Sequence, residues 1–300
     1  MKPQLCLGTA QFGLPYGITN QDGQVGEPEA RALLAMAAAA GLTLLDTAQA
    51  YGNAESVLGR TMPTGHSFQI ISKLPAQNQH GFTASDLQVW DQAFEKSRVS
   101  LDTPSLDALL LHSAGDLRKP GGEYLVEWLV NLREQGLVNR LGVSIYRPED
   151  LYGVAPELLN LVQLPMSLYD QRLLADGTIA RLRSQGCAVH ARSLYLQGLL
   201  LTPTCNWPAW INPATRRHHA KLELLATDRG CSLLQLALGF AAAQEDLEAV
   251  VIGVCSCHEL QQLLQGWKQI TPWRNEEWRT FELPDSTILD PRQWPQNSSQ

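Results

Sequence analysis

The sequence predicts an α/β chain closed into a (β/α)8 TIM barrel, with an extra helix before the eighth strand and a C-terminal tail. Three observations predict it. Short, continuous apolar runs recur along the chain, the pattern of strands buried on both faces. A helix-like segment follows most of them, the order of a parallel sheet wrapped by helices. The pair repeats about eight times in 300 residues, and a closed barrel of this kind takes about 250.

The first run is Leu5–Gly8. Glu27–Gly41 follows, with a proline near its start, an Ala-rich body and Gly at its end, the expected start and stop of a helix. The second run is Leu42–Asp46. The third, Phe68–Lys73, precedes a helix over Thr83–Val99, for which Ser85 is the expected N-cap. The fourth, Leu106–His112, precedes Tyr124–Gly136, which sets Leu125, Trp128, Leu129 and Leu132 on one face. The fifth and sixth runs are Asn139–Ser144 and Leu159–Gln163, and a helix is expected over Asp176–Gly186. Between the seventh run, Cys187–Ala191, and the eighth, Ala249–Gly253, there is room for two helices, Pro213–Gly230 and Ser232–Ala243. Residues 271–300 hold Trp273, Trp278, Trp294 and four prolines, which predicts a short helix over Asn275–Phe281 and then an extended tail. No Ser/Gly linker divides the chain, so one domain over residues 1–300 is expected.

Composition narrows the function. Hydrophobic residues make up 44% and charged residues 18%, which excludes a disordered, collagenous or coiled-coil chain. A net charge of -7 argues against nucleic acid and anionic membranes. The longest basic stretch, Arg216-Arg217-His218-His219, reads as a solvated helix start. No apolar run approaches the roughly 18 residues of a membrane span. The opening residues carry no apolar signal region, so the cytoplasm is the expected location. Six cysteines are too few for a disulfide framework. The cluster Cys255-Ser256-Cys257-His258 lacks the second ligand pair of a zinc site, so no metal is expected. A monomer or small homo-oligomer acting on a small molecule fits this profile.

The informative residues stand where the runs end. In a barrel these ends meet at one mouth, where catalytic groups collect. The second run ends in Asp46, with Tyr51 in the loop beyond; the third ends in Lys73; the fourth ends in His112. Singly, each has an ordinary explanation: a helix cap, a lysine leaving for solvent, a core histidine. Together they form a proton-transfer set. An ammonium beside a phenol favours the phenolate, so Lys73 is expected to lower the pKa of Tyr51. Asp46 would keep that ammonium in place, and His112 would orient a substrate oxygen. Tyr51 then serves as general acid for a carbonyl oxygen gaining negative charge. No side chain supplies hydride, so a nicotinamide is implied.

These motifs resemble the aldo-keto reductase superfamily over almost the whole chain. LGTAQFG (Leu7–Gly13) is similar to the family's first strand and turn, and LLDTAQAYGNAE (Leu44–Glu55) to its most diagnostic motif. The resemblance makes Asp46, Tyr51, Lys73 and His112 the catalytic tetrad. It implies reduction of an aldehyde or ketone, a sugar or other small carbonyl among them, by hydride from NADPH, with NAD(H) as the second candidate. Ser144 in GVSI and Gln163 in LVQLP match the ligands of the nicotinamide carboxamide, although Ile145 replaces the family's Asn. In ARSLYLQGLL (Ala191–Leu200), Ser193 and Gly198 match cofactor positions, and Arg192 replaces the aromatic that stacks on nicotinamide. An Arg plane can also stack. In VVIGVCSCHELQQLL (Val250–Leu264), Gly253 is in place. Glu259 stands where the family has a basic residue or Gln, and Gln262 where it has Glu. Glu259 would repel a 2′-phosphate, while a helix start near Ser256 could bind phosphate through its amides.

Two other readings stay open. A cofactor-binding regulatory or accessory protein of the same fold accounts for the altered cofactor motifs. A different barrel enzyme, with Lys73 as a Schiff-base lysine, accounts for one residue of the four. No G-x-G-x-x-G follows a strand, which argues against a Rossmann domain. The loop holding Trp207, Trp210 and Arg216-Arg217 offers either a wall for a substrate ring or simple packing, and the loop holding Arg118 and Lys119 is a further candidate pocket wall.

Overall fold

The computed structural model describes residues 1–274 and 277–295. Among them are eight strands: β1 (Gln4–Gly8), β2 (Leu44–Asp46), β3 (Gln69–Leu74), β4 (Leu106–Leu111), β5 (Val138–Ser144), β6 (Leu161–Pro165), β7 (Ala188–Arg192) and β8 (Ala249–Gly253). They pair in parallel in chain order, and β8 returns to β1, closing the barrel. The expected runs overlap these strands with boundaries displaced by one or two residues. The helices between them are α1 (Ala10–Gly13), α2 (Glu27–Ala39), α3 (Ala54–Thr61), α4 (Asp86–Leu101), α5 (Gly122–Glu134), α6 (Arg172–Ala175), α7 (Thr178–Ser184), α8 (Pro213–Asp228) and α9 (Leu233–Ala242); α10 (Cys257–Gln269) and α11 (Ser286–Leu289) follow β8.

The two helices between β7 and β8 form as expected, each with a polar start. Asn212 accepts the Thr215 N–H at 2.8 Å, and Ser232 and Gln235 bond reciprocally at the start of α9. Three expectations need correction. Ser85 stands at the start of α4 but makes no cap bond; Asp86 instead accepts the Thr83 N–H at 2.8 Å, so a local turn delays the helix. The helix expected from Asp176 starts at Thr178: Gly177 takes the N-cap position with φ +77°, and Asp176 in the turn before it accepts the Thr178 N–H at 2.8 Å. The tail is not extended. Asn275 and Glu276 of its expected helix lie outside the described residues, as do residues 296–300. Glu277–Phe281 forms a 3-10 helix, and α11 and a further 3-10 turn follow. Trp273, Trp278 and Trp294 are buried, and the indoles of Trp273 and Trp294 each donate to a backbone carbonyl at 3.0 Å. Burying so much aromatic surface is what folds the tail back onto the barrel.

Alternation along the strands decides what faces the interior. Cys6, Leu44, Ile71, Ala108, Leu110, Leu161, Ala188 and Ala249 form an apolar cluster inside the barrel, separate from the larger layer between sheet and helices. Stepping two residues on keeps the same face. This carries Leu44 to Asp46, Ile71 to Lys73, Leu110 to His112, Gly142 to Ser144, Leu161 to Gln163 and Val251 to Gly253. Two steps carry Ala188 past His190 to Arg192. The interior positions at the top of the strands are therefore the residues that the sequence singled out.

The opposite end of the barrel is closed by charge. Arg140 on β5 bonds Asp107 on β4 and, at 2.7 Å, Glu248, which precedes β8; His190 on β7 bonds the same Glu248 carboxylate at 3.0 Å. This network spans the narrowest junction of the sheet. β7 and β8 share two register pairs, against five between β1 and β8.

Candidate active site

The floor of the mouth is a buried ion pair. Lys73 Nζ donates to Asp46 Oδ1 at 2.7 Å and to the Thr47 carbonyl at 2.8 Å. Gln163 Nε2 donates to the same Asp46 oxygen at 2.7 Å. Lys73 and Gln163 are 0% exposed and Asp46 is 3% exposed. A charge this deep is tolerated because it is paired and hydrogen-bonded.

Tyr51 hangs over this floor from the loop between β2 and α3. Its N–H donates to Ala48 O and its carbonyl accepts from Ala54 N, both at 3.0 Å. Gly52 then turns with φ +57°, and a Cβ there would lie 2.2 Å from the Gly13 carbonyl. The loop thus lies backbone to backbone on the first strand's turn, which explains the glycines of both motifs. Lys73 Nζ sits 5.2 Å from the centroid of the Tyr51 ring, and the His112 ring meets it edge-on at 5.9 Å.

The electrostatics differ from expectation. Burial, and then the Asp46 carboxylate, push the Tyr51 phenol above its ordinary pKa, and the group that lowers it is Arg192. No hydrogen bond from Lys73 to the Tyr51 hydroxyl is found among the described residues. The ammonium is turned to Asp46 and Thr47 rather than to the phenol, and burial favours the protonated form of Tyr51. His112 is pushed down to about 4 by burial first, then by Lys73 and Arg192. It is therefore neutral at pH 7 and can offer an N–H without a charge.

Above the floor runs a cleft of about 840 Å³. Its reactive end is lined by Asp46, Tyr51, His112, Tyr16, Tyr146 and Arg192; it continues past Ser193, Tyr195 and Gly198 to Gly253, Cys255, Glu259 and Gln262. Lys73, Ser144 and Gln163 lie beneath this lining rather than on it. Ser144 and Gln163 are in register across β5 and β6. Arg192 reaches over them. Its Nη2 donates to Ile145 O at 3.1 Å, its guanidinium stacks on Tyr146 at 4.1 Å, and Arg292 of the tail stacks on Tyr146 at 3.4 Å. Tyr146 and Arg292 were not found by sequence reasoning. Tyr146 lies two residues past the end of the fifth run, where mouth residues collect; Arg292 arrives from the tail, for which the sequence carries no signal.

The cleft has features that suit a dinucleotide. Gln163 Oε1 is buried with no hydrogen-bond partner, an acceptor that a carboxamide NH2 would satisfy. Gly198 has φ +92°, and a Cβ there would lie 2.0 Å from Thr19 Oγ1, so only glycine lets the cleft wall pack against Thr19 at this point. Ser193, Leu196 and Gln197 also hold positive φ, a strained turn of the kind found at ligand sites.

The start of α10 departs from the phosphate site that the sequence allowed. Ser256 caps it, accepting the Glu259 N–H at 3.2 Å. The Glu259 carboxylate accepts the Cys255 N–H at 2.7 Å, and Glu29 of α2 accepts the Cys257 N–H at 2.6 Å.

The remaining sequence candidates serve packing. Trp207 is buried, donates to Leu199 O and Thr202 O, and stacks on His219 at 4.4 Å. Trp210 stacks on Trp294. Arg216 bonds four loop carbonyls. Arg118 and Lys119 bond backbone carbonyls and Asp116. None of these lines the cleft.

A sequence model of the Aldo/keto reductase family matches residues 4–282. An aldo-keto reductase of Mycolicibacterium smegmatis is 31% identical over 138 residues, 43% of this chain and 44% of its own length. One of Mycolicibacterium vanbaalenii is 31% identical over 160 residues, 48% of this chain and 53% of its own. The chain thus spans about half the length of the curated relatives it matches. Among solved structures, the holo form of an aldo-keto reductase from Bacillus halodurans superposes with a TM-score of 0.74 at 19% identity, covering 98% of this chain and 94% of that one. A thermostable aldo-keto reductase in complex with the inhibitor epalrestat superposes with a TM-score of 0.68 at 21% identity, covering 93% of this chain and 94% of that one. These two share the barrel fold.

Proposed function

This chain belongs to the Aldo/keto reductase family, and from that premise we propose that it reduces a small aldehyde or ketone, a sugar among the candidates, by hydride from a nicotinamide dinucleotide with Tyr51 as general acid. The observation that carries this reading is the arrangement at the mouth: a protonated Tyr51 and a neutral His112 facing one volume above a buried Asp46–Lys73 pair.

The dinucleotide, when bound, supplies the hydride. Every other task falls to the chain. A carbonyl oxygen between Tyr51 and His112 accepts an O–H from one and an N–H from the other, which polarises the carbon. As the carbon is reduced, the oxygen becomes an alkoxide, a far stronger base than a phenolate. The Tyr51 proton therefore moves downhill to it, even from a phenol whose pKa burial has raised. Asp46 and Lys73 do not touch the reacting oxygen. Their pairing fixes the floor on which Tyr51 stands and holds Gln163, whose buried Oε1 is left without a partner. Arg192 offers a flat cation beside that acceptor. The same pair counts against a Schiff-base role, since the Lys73 ammonium is 0% exposed and bonded twice.

The test is turnover of a panel of aldehydes and ketones by wild type and Tyr51→Phe. Loss of most turnover with dinucleotide binding intact supports the reading; activity within tenfold of wild type sinks it. One observation favours the accessory-protein reading: Arg192 covers the ends of β5 and β6, where the carboxamide ligands lie. Dinucleotide binding with negligible turnover on the panel would decide for it.

A further inference from the structure

We infer that this cleft takes a dinucleotide with a free 2′-hydroxyl, NADH, and rejects NADPH, because Glu259 of its wall and Glu29 of the neighbouring α2 occupy the helix start that a 2′-phosphate would need. The inference rests on the reading of the cleft as a nicotinamide dinucleotide site. With the nicotinamide at the Tyr51 end, the adenosine half falls at the other end of the same cleft, at the start of α10.

That end is arranged against an anion. A helix start attracts negative charge through its unpaired N–H groups and its dipole. Here the Cys255 N–H is held by Glu259 at 2.7 Å and the Cys257 N–H by Glu29 at 2.6 Å. A 2′-phosphate, carrying close to two negative charges at neutral pH, would have to displace them. It would then sit beside two carboxylates that had lost their donors. No basic side chain offsets this. Among the described residues lining the cleft, Arg192 is the one Lys or Arg, and it stands at the reactive end. The charged groups lining the far end are Asp22 and Glu259. Their field is visible on Cys255, whose thiol is pushed up to about 11 by burial first and then by these two carboxylates.

A hydroxyl meets the opposite reception. It donates to a carboxylate, the means by which an acidic side chain reads the ribose of NAD elsewhere. The wall also holds a donor in want of a partner: Tyr195 lines the cleft, is 9% exposed, and its hydroxyl is buried with no hydrogen bond. Glu29 is 230 positions from Glu259, so the pair exists only in the folded chain.

Equilibrium titration of the whole protein with NADH and with NADPH, followed by tryptophan fluorescence, tests this without turnover. NADH is expected to bind at least about tenfold more tightly, the factor set by one unfavourable charge contact of about 1.4 kcal/mol. The gap should narrow at pH 5.5, where a phosphate monoester sheds part of its second charge. In the double variant Glu29→Gln with Glu259→Gln, NADPH affinity should rise and the ratio approach one. Equal or tighter NADPH binding by wild type overturns the inference and leaves the reductase reading standing. An unchanged ratio in the double variant overturns the assignment to these two residues. Binding of neither dinucleotide overturns both readings.

Discussion

At one end of the cleft a carboxylate, an ammonium and an amide hold one another; at the other, two carboxylates hold backbone amides. The first arrangement comes from strand ends. Asp46, Lys73 and Gln163 are interior residues of β2, β3 and β6, each two positions beyond an apolar one, so the barrel's geometry delivers them to one point. The second comes from α2, α10 and the turn before α10, which no strand register ties together. The difference teaches that proton chemistry is set in the rigid sheet, whereas partner choice is set in connections that can change without disturbing it.

The sharpest way to break this comparison is at Tyr51. Tyr51→Phe is expected to lower kcat/KM by about 10²–10⁴, the range for loss of a positioned proton donor, with the dinucleotide Kd within about twofold of wild type. A larger change in Kd than in kcat would place Tyr51 in the binding half instead.

Next comes stability. Lys73→Met leaves Asp46 buried with one amide partner, and urea unfolding should register a loss of about 3–5 kcal/mol. Glu259→Ala removes one helix-start bond near the surface, and about 1 kcal/mol is expected. Equal losses would mean that the two ends are alike in their hold on the fold.

Protons provide a third contrast. His112 and His219 are each pushed down to about 4 in the folded chain, burial being the first cause for both. Unfolded, they take up protons near 6.5. Between those values the unfolded state binds more protons, so stability falls as pH drops from 6.5 to 4 and is whole above it. The slope is at most about 1.4 kcal/mol per pH unit for each histidine. Urea midpoints across this window should show it, and His112→Gln should remove the share of the reactive end alone. The smallest effect is expected at Tyr195→Phe: little change in stability and about a threefold loss of NADH affinity, of the size of one neutral hydrogen bond.

The barrel and its reactive end were legible because both follow from periodicity. Continuous apolar runs announced buried strands, and a charged residue closing such a run announced the mouth. Trp207 and Trp210 illustrate what periodicity does not carry. Their side chains read equally as pocket wall or packing until His219 and Trp294 were seen against them. Glu29 read as an ordinary acidic residue in the first turn of a helix. Its role depends on α2 lying beside α10, a contact between segments more than two hundred residues apart. The direction of the Lys73 ammonium was not legible for a different reason: its partners are a carboxylate and a carbonyl, and proximity in a motif does not say which way a donor turns.

The charge network at the base of the barrel has a consequence for how the molecule comes apart. Glu248 joins Arg140 and His190, partners 108 and 58 positions away in sequence. Its carboxylate is held down to about 2, the His190 bond being the first cause. The junction they span has two backbone register pairs, the fewest in the barrel. Amide exchange should therefore find this junction opening first, and Glu248→Gln should widen that opening, making the least-paired seam the place where the barrel's lifetime is decided.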